Sequence, residues 1–158
     1  MSRSAVGIHQ TANEILIRGD PERIYQWAAA VEEWPTFLPH YRWVRVHGRE
    51  GNRRTVEMAA WRAGIPIRWM SHQWLWPEER RITFRHIGGL SRGMEVEWRI
   101  EAAEGREAPV RVSITHDLRL TVPVVRSRVG QWVVGELFVK AVAARTLRCL
   151  KQRIEGGG

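Results

Sequence analysis

Two histidines interrupt apolar registers in this chain. His116 falls in a run where Val110, Val112, Ile114, Leu118 and Leu120 alternate with Arg111, Ser113, Thr115, Asp117 and Arg119. Alternation of that kind separates the two faces of a pleated strand, so His116 shares the apolar face. His86 follows Ile82 and Phe84 at the same spacing. An imidazole turned toward an apolar interior is either a general acid or base working near neutral pH, or a core group satisfied by a carbonyl or a water. Ser71 and Gln73 continue the face of Ile65, Ile67 and Trp69. A hydroxyl and an amide there can hydrogen-bond a ligand carbonyl without bringing in a full charge. Their strand is apolar on both faces, with Met70, Trp74 and Trp76 opposite, so a bulge would exchange them with His72. His116, His86, Ser71 and Gln73 are the candidate catalytic groups.

Other chemistries leave no trace. The chain has no phosphate-cradling glycine loop, no His-Glu-x-x-His, no Ser-His-Asp spacing on recognisable turns and no paired-carboxylate signature. Its single cysteine, Cys149, forms neither an internal disulfide nor a thiolate metal cluster, and reads as a small, partly buried apolar residue. No cofactor and no metal are expected.

The elements that must position these groups follow from periodicity. Val6 to Ile17 read as a first strand. Gly19-Asp20-Pro21 then starts a helix, because Asp20 can cap free N–H groups and Pro21 suits the first turn; it runs through Ile24, Tyr25, Trp27 and Ala28 to about Val31. Trp34-Pro35-Thr36-Phe37-Leu38-Pro39 allows one short helical turn between its prolines. Period two then holds across Tyr41–His47, Arg53–Trp61, Ile65–Trp76, Arg81–Ile87, Met94–Glu101 and Val110–Thr121, separated by Gly- and Pro-rich turns. From about Ser127 the spacing is helical again, with a stripe that includes Trp132, Val133, Phe138, Val139, Val142, Leu147, Leu150 and Ile154.

Strand, two short helices, six strands and one long helix make an α+β fold. A seven-stranded antiparallel sheet with one apolar face must cover it, and only the C-terminal helix, about 38 Å long at some 25 residues, can do so. The sheet therefore curls around the helix. A space left at one end, capped by the early helices, is a candidate ligand cavity. Trp34, Phe37, Leu38 and Tyr41 would form its entrance, either a lid or a fixed plug. Trp69, Phe84, Trp98 and Leu118 on the strands, with Trp132 and Phe138 on the helix, would line it.

Composition limits the alternatives. At 158 residues, 44% hydrophobic and 27% charged, the chain is the size of one globular domain, 1–158. It lacks an apolar run of membrane-spanning length and a secretory start, so a cytoplasmic location is expected. The net charge of +8 is carried by arginine, since lysine stands only at Lys140 and Lys151. Those arginines are scattered and form no tract, so no nucleic-acid partner is expected. Nine tryptophans imply either dense packing or a roomy aromatic pocket.

The order of elements resembles the helix-grip fold of the START-like superfamily. Asp20-Pro21-Glu22-Arg23-Ile24-Tyr25, Glu33-Trp34-Pro35-Thr36-Phe37-Leu38-Pro39, Gly93 to Ile100 and Thr146 to Glu155 resemble its polyketide cyclase and dehydrase branch. The Trp-Pro-x-Phe-Leu-Pro stretch is also similar to the coenzyme Q-binding carriers of that superfamily. The resemblance implies an apolar small-molecule ligand, polyketide-like, lipid or quinone, that is cyclised, aromatised or dehydrated, or else carried unchanged. It also implies an arginine inside the cavity to hold or polarise the substrate. Alternation turns Arg68, Arg85, Arg99, Arg111 and Arg119 outward, which departs from that pattern and leaves Arg145 on the last helix as the one to test against a solvated flank. A third reading, an interaction module using the arginine-rich exterior, predicts salt-sensitive binding. Transient membrane contact is compatible with each reading, and the sequence leaves the oligomeric state open.

Overall fold

A computed structural model of the chain describes residues 9–89, 91–105, 107–118 and 139–157. Its elements are β1 (His9–Ile17), α1 (Pro21–Ala29), a 3₁₀ turn (Val31–Glu33), α2 (Trp34–Phe37), β2 (Tyr41–Glu50), β3 (Arg53–Arg62), β4 (Ile65–Trp76), a second 3₁₀ turn (Pro77–Glu79), β5 (Arg81–Gly88), β6 (Glu95–Glu101), β7 (Val110–Leu118) and α3 (Lys140–Gly156). All strands join one antiparallel sheet in the order β1-β7-β6-β5-β4-β3-β2. This is the expected α+β helix-grip fold: a curved seven-stranded sheet, a long C-terminal helix and two short helices between the first two strands.

The strand order explains the early helices. β1 and β2 lie at opposite edges, so the segment between them must cross the molecule, and the meander then returns the chain to β7 beside β1. Asp20 Oδ1 accepts from the Glu22 N–H at 3.2 Å and Pro21 opens the first turn of α1. That helix stops at Ala29, short of Val31, and a 3₁₀ turn leads into α2, which ends at Phe37 before Pro39 can interrupt it.

Alternation holds where the sequence showed it most clearly. Val96, Trp98 and Ile100 are buried while Glu95, Arg99 and Glu101 are exposed; Val110, Val112, Ile114, His116 and Leu118 are buried on β7. Fully burying each large apolar side chain stabilises the fold by roughly 1.5–3 kcal/mol relative to exposure. Ala63 and Gly64, both at positive φ (51° and 79°), make the tight turn between β3 and β4. On the outer face Arg81 pairs with Glu97 at 3.4 Å, Arg111 with Glu101 at 3.2 Å, and Arg99 also meets Glu97. Arg42, Arg45, Arg81 and Arg153 stack over Trp61, Trp43, Trp76 and Trp27, so the arginine excess and part of the tryptophan excess cover each other.

α3 packs chiefly against β1 and also meets α1 and α2. Lys151 donates to the Leu16 carbonyl at 2.7 Å, and the Arg18 N–H donates to Glu155 at 2.8 Å. Its described length is 17 residues, about 26 Å. The expected earlier part of that helix, with Trp132 and Phe138, and the expected strand residues Arg119 to Thr121 lie outside the described residues, as do Val6 to Ile8. No helix among the described residues is long and apolar enough to cross a membrane.

Candidate functional site

Between the sheet and α3 lies a hollow of about 270 Å³. Trp34 is the hub of its aromatic wall, with ring centroids 5.1 Å from Tyr41, 5.6 Å from Trp98 and 6.2 Å from Phe84. Tyr41 in turn meets Trp69 edge-on at 6.0 Å. Such tilted and edge-to-face contacts suit the charge distribution of aromatic rings and fix the wall in place. Met58, Met94, Val96 and Ile114 add apolar surface from the sheet, and Val139, Val142 and Ala143 close the side made by α3.

Two buried imidazoles break this surface, together with Ser91, Thr146 and Arg68, which was expected to face outward and is largely exposed and paired with Glu57 yet also borders the hollow. His86 is stacked flat on Trp69, centroids 5.8 Å apart and planes 5° apart, and its Nδ1 lies 2.6 Å from Ser91 Oγ. The loop that carries Ser91 is held close to β4: a Cβ on Gly89, at φ +92°, would come within 2.6 Å of the Arg68 carbonyl oxygen. His116 projects from β7, opposite Val96, and its Nδ1 has no hydrogen-bond partner. Burial pushes the His86 pKa down to about 3, with repulsion from His116 adding to it, and burial alone brings His116 to about 3. Both rings are therefore neutral at physiological pH, each able to donate one hydrogen bond and accept another.

The other expected residues divide. Trp34, Tyr41, Trp69, Phe84 and Trp98 line the hollow with His86 and His116. Leu38 and Leu118 are fully buried behind its surface, and Phe37 packs edge-on against Trp27 at 5.2 Å, away from it. Ser71 is buried with its hydroxyl unpartnered, but neither it nor Gln73 reaches the hollow. Gln73 is tied elsewhere: its Oε1 accepts from Arg54 Nε at 2.8 Å, and its amide donates to the Ala29 carbonyl at 3.4 Å. Arg145 is exposed on the far flank of α3. Trp132 and Phe138 lie outside the described residues.

Three polar residues escaped the sequence reading. Arg54 is 5% exposed, bound to Gln73, to Glu32 at 3.1 Å and to the Ala29 carbonyl. It shares the register of Val56, Met58 and Ala60, a signal that was available. Thr146 lies four residues from both Val142 and Leu150, within the apolar stripe of α3, and its hydroxyl donates to the Val142 carbonyl at 2.8 Å. With that one proton committed, Thr146 accepts from His40, whose Nε2 is 2.8 Å away. His40 follows Pro39 outside any periodic run, so spacing gave no warning of its burial. Burial also pushes the Tyr41 phenol up, against a hydrogen bond with Thr146. Among the described residues no three His, Cys, Asp or Glu side chains converge as metal ligands.

The family model for polyketide cyclase / dehydrase and lipid transport matches residues 17–144. The chain belongs to that family. Several solved structures share its backbone closely. A Thermus thermophilus protein, TTHA0849, superposes with a TM-score of 0.79 at 25% identity, covering 95% of this chain and 99% of that one. The Zhui aromatase/cyclase of a Streptomyces species gives 0.74 at 17% identity, covering 96% and 99%. A START superfamily protein from Mycobacterium smegmatis gives 0.73 at 16% identity, covering 94% and 98%. No curated protein matches the family member described here by sequence.

Proposed function

We propose that the chain binds an apolar, oxygen-bearing small molecule in the hollow between sheet and α3, and that His86 and His116 hydrogen-bond its oxygen. The observation that carries this reading is the pair of buried, neutral imidazoles on a largely apolar, aromatic wall. A buried polar group without a partner costs free energy, roughly 1–3 kcal/mol, and a ligand oxygen beside His116 would recover part of it. The hollow is just under the roughly 300–1,000 Å³ usual for small-molecule pockets, and its aromatic wall suits a flat, conjugated guest.

Quenching of tryptophan fluorescence by naphthalene and by 2-naphthol tests this, since Trp34, Trp69 and Trp98 line the hollow. Naphthol is expected to bind about tenfold more tightly, the worth of one net hydrogen bond. The preference is expected to vanish in the His86→Leu/His116→Leu variant. Equal affinity for the two probes in the unaltered protein would refute the proposed role of the imidazoles.

A second reading has the same imidazoles promoting cyclisation, aromatisation or dehydration of a polyketide-like guest. It draws on the family's description and on the proximity that lets His116 depress His86. Their low proton affinity weighs against it, because a general base works best with a pKa near the working pH. Among the described lining residues no carboxylate raises either value. Holding without turnover is therefore the reading favoured here. Incubation with an aryl β-hydroxy ketone separates the two: unchanged absorbance supports holding, and growth of the enone band supports dehydration.

A further inference from the structure

Arg145 stands outside the apolar hollow, on the opposite flank of α3. A second depression there, of about 250 Å³, is lined by His40, Trp61, Arg62, Val142, Arg145 and Arg148 among others. Among the described residues Val142 is the one side chain it shares with the hollow. Its walls carry three guanidinium groups and, among the described residues, no carboxylate. On the outer face of the sheet, by contrast, Arg81, Arg99 and Arg111 are each matched by Glu97 or Glu101. Arg145 and Arg148, three residues apart on one side of the helix, have no acidic partner among the described residues.

His40 supplies a second, independent observation. It is 2% exposed, forms part of the wall, gives its Nε2–H to Thr146 and keeps an unpartnered Nδ1 that can only accept, as from the P–OH of a hydrogen phosphate. Burial first, then the positive charges of Arg145 and Arg148, holds its pKa down to about 4. The imidazole is thus uncharged at neutral pH, and the positive field of the depression belongs to the arginines.

We infer that this depression is an oxyanion site for a phosphate group, free or carried on a larger molecule. Guanidinium groups present forked donors that match phosphate oxygens, two bonds at a time. A dianion offsets more of the charge of Arg145 and Arg148 than a single carboxylate does, which favours phosphate over simple carboxylic acids. Among the described residues the site shares no polar side chain with the apolar hollow, so it stands or falls separately from the binding of an apolar guest.

The test is a titration of the full chain with inorganic phosphate, glycerol phosphate and acetate at constant ionic strength, read from the imidazole ¹⁵N resonances of His40. Phosphate is expected to give a saturable shift and acetate none. A saturable shift with inorganic phosphate only points to the free ion, and one with glycerol phosphate points to a phosphorylated molecule; both support the site. The Arg145→Gln/Arg148→Gln variant is expected to weaken binding at least tenfold. The Arg45→Gln/Arg85→Gln variant, with the same loss of charge at exposed positions elsewhere, should change it less than twofold. Non-saturable shifts, equal losses in both variants, or acetate binding as tightly as phosphate would each overturn the proposal.

Discussion

The inward face of the sheet carries buried polar groups in two places, and they are treated differently. Near α1, Arg54 and Gln73 hold each other, with Glu32 and the Ala29 carbonyl completing the set. Beneath α3, His86 has one small partner, Ser91, and His116 Nδ1 has none. Both groups interrupt apolar registers and both are buried. Hydrogen-bond partners and a place on the hollow separate a tie that fastens the helices to the sheet from groups left available to a ligand. A polar group whose partners come from the fold works for the fold; one that lacks them and also lines the hollow, as Ser71 does not, is where a ligand can act.

The largest test of that contrast is acidification. His40, His86 and His116 have folded-state pKa values depressed to about 4, about 3 and about 3. The unfolded chain therefore takes up protons first, near pH 6.5, while the native state resists. Their contribution is fully present above pH 6.5 and is lost as the pH falls through about 4 for His40 and about 3 for His86 and His116. Each histidine adds a slope of up to about 1.4 kcal/mol per pH unit. Urea midpoints measured across that window should fall steeply, and His116→Leu should flatten the curve by about one proton. A flat profile would mean that these rings are wetter than their burial indicates.

Arg54→Ala comes next. It strips Gln73 and the Ala29 carbonyl of their donor and leaves the half-exposed Glu32 to water, an expected loss of about 3 kcal/mol in chemical denaturation. His116→Leu should behave oppositely at pH 7, costing no stability and raising it by up to roughly 1–3 kcal/mol, because no protein partner of Nδ1 is orphaned and an unpartnered buried group is removed. Comparable losses in the two variants would erase the distinction between tie and available group. The smallest effect belongs to Ser91→Ala, expected to cost about 1 kcal/mol or less. It should weaken naphthol binding while leaving naphthalene binding unchanged, since it frees the His86 ring to turn.

How much of this was legible beforehand depended on whether a group's neighbours lay along its own strand. The pleat of β6 and β7 placed His116 inward from local spacing alone, and the turn residues gave the strand boundaries to within a few positions. Gln73 was correctly read as inward but not as the partner of Arg54, because that contact joins neighbouring strands and a carbonyl at the end of α1. Arg54 carried the same register signal as Val56 and Met58; an arginine at such a position reads as exposed unless its partners are known. His40 lay beyond reach, since its burial comes from packing against Thr146, 106 residues away.

The most direct test of the central claim is a crystal structure of the protein with 2-naphthol. The account predicts the ring system lying among Trp34, Trp69 and Trp98, with its oxygen about 3 Å from a ring nitrogen of His86 or His116. A hollow closed by its own side chains, or a naphthol seated with both imidazoles left unbonded, would contradict it.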